Sequence, residues 1–80
     1  MNVVSTREQL NEALHNLDSV RNKILRTSKY VEEMVRVNEM CAAMLAFSAL
    51  DDDEILSNIN EIGRIRNAVS NYAEFMNNSF

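Results

Sequence analysis

The chain has 80 residues and a formal net charge of −4, and hydrophobic residues make up 46% of it. A chain of this length forms one domain with a small core, and its composition is typical of a folded protein. The negative charge argues against general affinity for nucleic acids. The longest mostly apolar run, 40–50, is too short to span a membrane. A single cysteine and the lack of a signal-peptide pattern predict a cytoplasmic protein.

The scarcity of turn-forming residues predicts an all-α fold. The sequence contains no proline and a single glycine, Gly63, and these two residue types are the usual breaks between short elements. We therefore expect residues 1–80 to form a single domain, an antiparallel bundle of two or three helices. Because a chain this short buries a modest core, we expect homodimerisation to complete the bundle.

The first predicted helix has a start signal and a long apolar face. Ser5 and Glu8 have the spacing of a capping box, which places the helix start near Thr6. Apolar or small side chains then recur every three or four residues on one face, at Leu10, Ala13, Leu17, Val20, Ile24, Thr27, Val31 and Met34. This spacing indicates an amphipathic helix.

The segment between Arg26 and Lys29 leaves two alternatives open. Thr27 or Ser28 can cap a new helix here, but neither glycine nor proline enforces a break. A continuous helix would run to about residue 49, whereas a break would give three helices of similar length. We favour the break, because a helix of that length suits an oligomer better than a small domain.

The second predicted turn is an αα-hairpin at residues 50–54. Asp51 stands at the N-cap and Glu54 three residues later, with Leu50 and Ile55 placed as a hydrophobic staple. A final amphipathic helix should then run to about Met76 and pack antiparallel on the preceding helix.

The same segment, 50–54, with heptad-like helices on both sides, resembles the turn of the Rop family of plasmid helical hairpins. Members of that family dimerise into four-helix bundles and bind RNA. The resemblance covers the turn and the general helical pattern. It carries neither a residue role nor RNA binding to this chain.

A second apolar stripe, formed by Val37, Met40, Met44 and Phe47, lies on roughly the opposite face of the helix from the first. A helix that is apolar nearly all round must be covered on both sides. The stripe is either the centre of a bundle or homodimer seam, or a surface for a different protein. Both interpretations predict a protein interface at these four residues.

The charges are distributed unevenly along the chain. Residues 19–31 contain the bases Arg21, Lys23, Arg26 and Lys29 and no acid, whereas residues 32–54 contain seven acids and one base. The simplest interpretation is a solvated helix surface. The alternative is a stripe that contacts nucleic-acid phosphates, although no aromatic residues interleave with the bases. The acids could likewise face a basic partner, but helix capping already accounts for Asp51 and Glu54.

Few residues are candidates for catalysis or metal binding. His15 falls on the polar side of the first helix, and Cys41 lies on the main apolar stripe, where a free thiol is usually a small buried hydrophobe. No phosphate loop or metal-ligand spacing is present in the sequence. We expect no enzyme activity, cofactor, metal or small-molecule substrate.

The sequence thus favours a small acidic interaction module, of bacterial or phage type, that regulates or inhibits a partner protein through an apolar helix face. A nucleic-acid-binding hairpin that uses residues 21–29 is the alternative.

Overall fold

The computed structural model describes residues 2–80. These residues form four α-helices and no strand, which confirms the all-α prediction. The helices are α1 (Val3–Thr27), α2 (Met34–Ser48), α3 (Asp52–Ser57) and α4 (Ile59–Asn78), and a 3₁₀ turn at Val31–Glu33 precedes α2.

Helix α1 begins three residues before the predicted start. Asn2 is the N-cap, and its side-chain oxygen accepts a hydrogen bond from the Ser5 amide at 2.8 Å. The hydroxyl of Thr6 donates to the Asn2 carbonyl at 2.8 Å. The capping box predicted at Ser5 and Glu8 is therefore wrong, because Asn is an equally good cap and Ser5 lies inside the first turn.

The chain breaks after α1, so the helix is not continuous through residues 27–29. Ser28 and Tyr30 both adopt the left-handed conformation, with φ angles of 54° and 60°. The Ser28 amide donates to the Ile24 carbonyl, which closes the last turn of α1. Because the chain changes direction here, the predicted stripe ends at Ile24, and Thr27 and Val31 are exposed.

The hairpin turn forms as predicted. The Asp51 carboxylate accepts from the Glu54 amide at 2.9 Å, and the Glu54 carboxylate accepts from the Asp51 amide at 3.4 Å. The final helix is interrupted at Asn58, which was not predicted. Asn58 leaves the helical conformation, with φ −119° and ψ 16°, and α3 ends there. Its side chain and its backbone amide both donate to the Glu54 carbonyl, at 2.8 and 3.2 Å.

Helix α1 is the central element of the fold. It packs along both α2 and α4, whereas α2 and α4 touch each other at only a few points. The Arg7 guanidinium at the start of α1 donates to the carbonyls of Ser48 and Leu50 at the end of α2, at 3.0 and 2.8 Å. Ser19 hydrogen bonds to Asn77 near the end of α4 at 3.2 Å. Helix α1 is thus antiparallel to α2 and parallel to α4, and α4 packs mainly on α1, not on the preceding helix as predicted.

The core lies on the two sides of α1 that face its neighbours. Its buried hydrophobic side chains are Leu10, Ala13, Leu17, Val20, Ile24, Val37, Cys41, Met44, Ile55, Ile62, Val69, Ala73 and Met76. The described helices include none that is long and apolar enough to cross a membrane.

Candidate interaction surfaces

The predicted partner-binding stripe turns inward. Val37 and Met44 are fully buried, and Met40 and Phe47 are half-buried against the core. In this fold the four residues form the inner side of α2 and part of its edge toward α4. Val37 and Met44 are therefore removed from the predicted interface, because they cannot reach another molecule while the chain is folded.

The solvent side of α2 carries the exposed apolar surface instead. Val35 and Leu45 are 66% and 58% exposed. Three exposed alanines lie on the same side, and we call the five residues together the outer face of α2: Val35, Ala42, Leu45, Ala46 and Ala49. Between residues 37 and 50 the only charged side chain is Glu39. Helix α2 is therefore apolar on two sides, but Cys41 of the main stripe is buried together with Val37 and Met44 of the second stripe.

A shallow groove separates α2 from α4. It has a volume of about 360 Å³ and is lined by Arg36, Glu39, Met40, Ala43, Arg64, Ile65, Ala68 and Val69. The groove exists because both helices pack on α1 and hardly on each other. Its floor is apolar and its rim is charged. We call it the α2/α4 groove.

The two arginines on the rim already have acidic partners. Arg36 lies 3.6 Å from Glu33, and Arg64 lies 2.8 Å from Glu61, measured between nitrogen and carboxylate oxygen. Glu39 forms no ion pair with any residue of the range 2–80. Exposed pairs of this kind contribute little to stability, so both arginines can exchange partners at low cost.

A hydrogen bond joins α4 to the 3₁₀ turn that precedes α2. The Tyr72 hydroxyl on α4 donates to the Glu33 carboxylate at 3.0 Å. Burial of the phenol, reinforced by the hydrogen bond and the negative charge of Glu33, raises the pKa of Tyr72 to about 12, although the nearby Arg36 guanidinium acts in the opposite direction. Tyr72 thus stays protonated and holds the 3₁₀ turn against α4.

The predicted basic stripe is divided between the two sides of α1. Arg21 faces α2, where its guanidinium donates to the Cys41 sulfur at 3.2 Å and lies 3.4 Å from the Asp18 carboxylate. Lys23 faces α4, with its ammonium 5.9 Å from the centre of the Phe80 ring. The division follows from helix geometry, since residues two apart lie on opposite sides.

Two aromatic rings lie close to Lys23 and Lys29, near the C-terminal end of α1. Tyr30 and Phe80 meet edge to face with their centres 5.7 Å apart. The Lys29 ammonium lies 5.1 Å from the centre of the Tyr30 ring. We call Lys23, Lys29, Tyr30 and Phe80 the basic aromatic end. Sequence spacing missed it because Phe80 is fifty residues from Tyr30. Arg26 is exposed nearby in the sequence.

A second groove, between α1 and α4, is polar. It has a volume of about 440 Å³ and is lined by Gln9, Glu12, Asn16, Arg66, Ser70, Glu74, Asn77 and Asn78. The buried Nε of Arg66 has no hydrogen-bond partner among residues 2–80. The groove therefore offers hydrogen-bonding groups to water or to a polar ligand.

The candidate catalytic residues do not form a site. His15 is exposed on α1, and the buried thiol of Cys41 has Arg21 as its polar neighbour. Within the described part of the chain, no three His, Cys, Asp or Glu residues form a group that could hold a metal ion.

Comparison with known proteins adds no assignment. No protein-family model matches the chain, and no curated protein or solved structure is significantly similar to it.

Proposed function

We propose that this protein is a non-catalytic interaction module whose outer α2 face binds another protein chain and regulates it by occupancy. The observation that supports the proposal is the composition of that face. Val35 and Leu45 are more than half exposed, and the alanines between and beyond them leave the surface without charge. Apolar patches of this kind mark sites where proteins associate.

The other long helices also expose large apolar side chains, such as Leu25 on α1 and Phe75 on α4, but charged residues stand beside them. The solvent side of α1 carries Glu8, Glu12 and Arg26, and that of α4 carries Arg64 and Glu74, all of them exposed. Charged side chains are the ordinary covering of an exposed helix surface. Each large aliphatic side chain on the α2 face would gain about 1–2 kcal/mol on burial against a partner, given its present exposure.

The proposal includes a homodimer in the reducing environment of the cytoplasm. The single thiol, Cys41, is buried and free, which suits a compartment where thiols stay reduced. A small chain also gains stability from a second copy, because folding then buries more surface per residue.

The test replaces one exposed leucine by glutamate. Leu45→Glu should abolish self-association, measured by light scattering over a dilution series, or the capture of a partner from a lysate of the source cells, whichever the native chain shows. Leu56→Glu is the matched control, because Leu56 is a similarly exposed leucine on α3, at 53%. The proposal fails if the Leu45→Glu protein associates with itself and with partners as the native chain does.

A second candidate function is nucleic-acid binding at the basic aromatic end. The supporting observation is the presence of two lysines beside aromatic rings, of which Phe80 is 38% exposed. Rings of this kind stack on unpaired bases, and the ammonium groups neutralise phosphates. The net charge of −4 opposes this function over the whole surface.

Fluorescence anisotropy with a labelled single-stranded RNA tests this candidate. If the end binds RNA, the double variant Lys23→Glu/Lys29→Glu should reduce affinity more than tenfold and flatten the salt dependence. Arg64→Glu, an exposed base on α4, should have little effect. Equal, background-level binding by all three proteins would exclude this function.

A further inference from the structure

The three long helices α1, α2 and α4 occupy three positions of a four-helix bundle, and the α2/α4 groove lies at the fourth position. In a four-helix bundle each helix packs against two neighbours and lies diagonal to the third. Helix α1 packs against α2 and α4, and these two remain apart. The position diagonal to α1 is therefore open, and Met40, Ile65 and Val69 lie at its floor. A helix seated there would contact α2 and α4 and cover these side chains.

Helix α2 itself has the right surface to enter such a groove. Its outer face combines two aliphatic side chains with Ala42, Ala46 and Ala49. Small side chains allow helix axes to approach to about 8 Å, the short end of the range for packed helices. The neighbouring Ala43 lines the groove wall, so both surfaces of the contact present small residues.

We propose that the α2/α4 groove receives the α2 helix of a second copy of this chain, and that two copies insert their α2 helices into each other about a twofold axis. This inference rests on the proposed function, because it names the occupant of the outer α2 face. Helix α2 forms one wall of the groove and also carries the outer face that enters the groove of the other copy. A reciprocal contact therefore closes at two copies and leaves no free groove for a third.

The charges around the groove fit this occupant. Glu39, which has no ion-pair partner among residues 2–80, lies on α2 between the groove and the outer face. In the reciprocal arrangement this carboxylate enters the groove of the other copy, whose rim carries two bases, Arg36 and Arg64, and one acid, the Glu39 of that copy. Each dimer would therefore contain two such contacts, one for each Glu39.

The available area is close to what a stable dimer needs. A specific interface buries roughly 800 Å² on each partner, and this chain exposes 5030 Å² in total. The outer half of a 15-residue helix, about 22 Å long and 10 Å wide, supplies roughly 350 Å². The walls of the groove contribute a similar area, so the sum, roughly 700 Å², lies near the lower end of the standard range.

The test uses a substitution in the groove that leaves the outer α2 face unchanged. Ala68 lines the groove on α4 and is exposed, so Ala68→Glu is compatible with the folded chain. We expect the native protein to be a dimer by light scattering and Ala68→Glu to raise its dissociation constant at least tenfold. Asn67→Glu is the control, because Asn67 is exposed on the same helix outside this groove.

The outcomes separate this inference from the function on which it rests. A native protein that stays monomeric at all concentrations overturns the inference, while its outer α2 face remains free for a different protein. A dimer that Leu45→Glu dissociates and Ala68→Glu does not overturns the groove and leaves the proposed function standing. A dimer that resists both substitutions, in a chain that captures partners unchanged, overturns both.

A disulfide test shows which surfaces meet. Two single-cysteine proteins are made in a Cys41→Ala background, one with Ala46→Cys on the outer α2 face and one with Ala68→Cys in the groove. Their mixture should form a disulfide-linked dimer on mild oxidation, in higher yield than either protein alone. A mixture that is dimeric but yields no more linked product than the separate proteins overturns the proposed contact.

Discussion

Ser28 holds a left-handed conformation without being a glycine. Its φ angle is 54°, a region that costs an L-residue roughly 1–2 kcal/mol. Ser28→Gly should remove this strain, and the greater flexibility of glycine in the unfolded chain should cancel about half of the gain. We expect the free energy of unfolding, measured with urea, to rise by about 0.5–1 kcal/mol.

Ser28→Ala is the control, because alanine keeps the strain and removes only the hydroxyl. It should give no increase in stability. If Ser28→Gly lowered the free energy of unfolding, the left-handed turn would not be the strained element that its backbone angles indicate.

Titration of Tyr72 should make the free energy of unfolding depend on pH above pH 10. The pKa of this phenol is raised from 10.0 to about 12 in the folded chain, so between these values the folded state holds a proton that the unfolded state has lost. Stability from this group is therefore fully present below pH 10 and is lost as pH rises through 12.

Tyr72→Phe isolates this contribution. At pH 8 the variant should be less stable by about 1 kcal/mol, because the hydrogen bond to Glu33 is lost. The difference between native and variant proteins should shrink between pH 10 and 12, as followed by urea unfolding at several pH values. A difference that stays constant across that interval would mean that Tyr72 does not retain its proton.

At the scale of single elements, Gly63 is a helix residue rather than a break. It lies inside α4, and a Cβ atom added to it would meet no atom within 4 Å beyond its chain neighbours and the adjacent backbone of its own helix. Gly63→Ala should raise the free energy of unfolding by about 0.5–1 kcal/mol, because alanine is the better helix former and restricts the unfolded chain. Thermal unfolding followed by circular dichroism measures the effect, and a loss of stability would show an unrecognised contact at this position.

Local signals account for the helix ends that the sequence predicted and for those it did not. Asp51 and Glu54 cap each other within four residues, so their spacing alone specifies the hairpin turn. The turn after α1 has no such signal, because the left-handed positions are occupied by Ser28 and Tyr30 and the single glycine lies elsewhere. The interruption at Asn58 is accompanied by a side-chain hydrogen bond to the Glu54 carbonyl, which many asparagines in helices do not make.

At the scale of the whole molecule, packing decides which face of α2 turns inward. Extending the periodicity of α1 through the turn places Val37 and Met44 on roughly the opposite face from the main stripe. The left-handed turn ends that register, so the faces of α2 have to be assigned independently. The faces differ in composition, since the inner face carries valine, two methionines and phenylalanine, whereas three of the five residues of the outer face are alanines. Sequence periodicity therefore predicted two apolar faces on α2, but it did not predict which of them packs against the core.

The proposed dimer makes the stability of the whole molecule depend on its concentration. When two folded copies unfold to two separate chains, each tenfold increase in concentration adds about 1.4 kcal/mol to the unfolding free energy of the dimer. The native protein should therefore show a Tm that rises steadily over a roughly hundredfold range of concentration, measured by circular dichroism. Ala68→Glu should have a lower Tm than the native protein at each concentration where the native chain is dimeric, because its weaker dimer dissociates at higher concentration. A native Tm that is independent of concentration would mean that folding is complete within one chain and that the outer face of α2 gains nothing from a second copy.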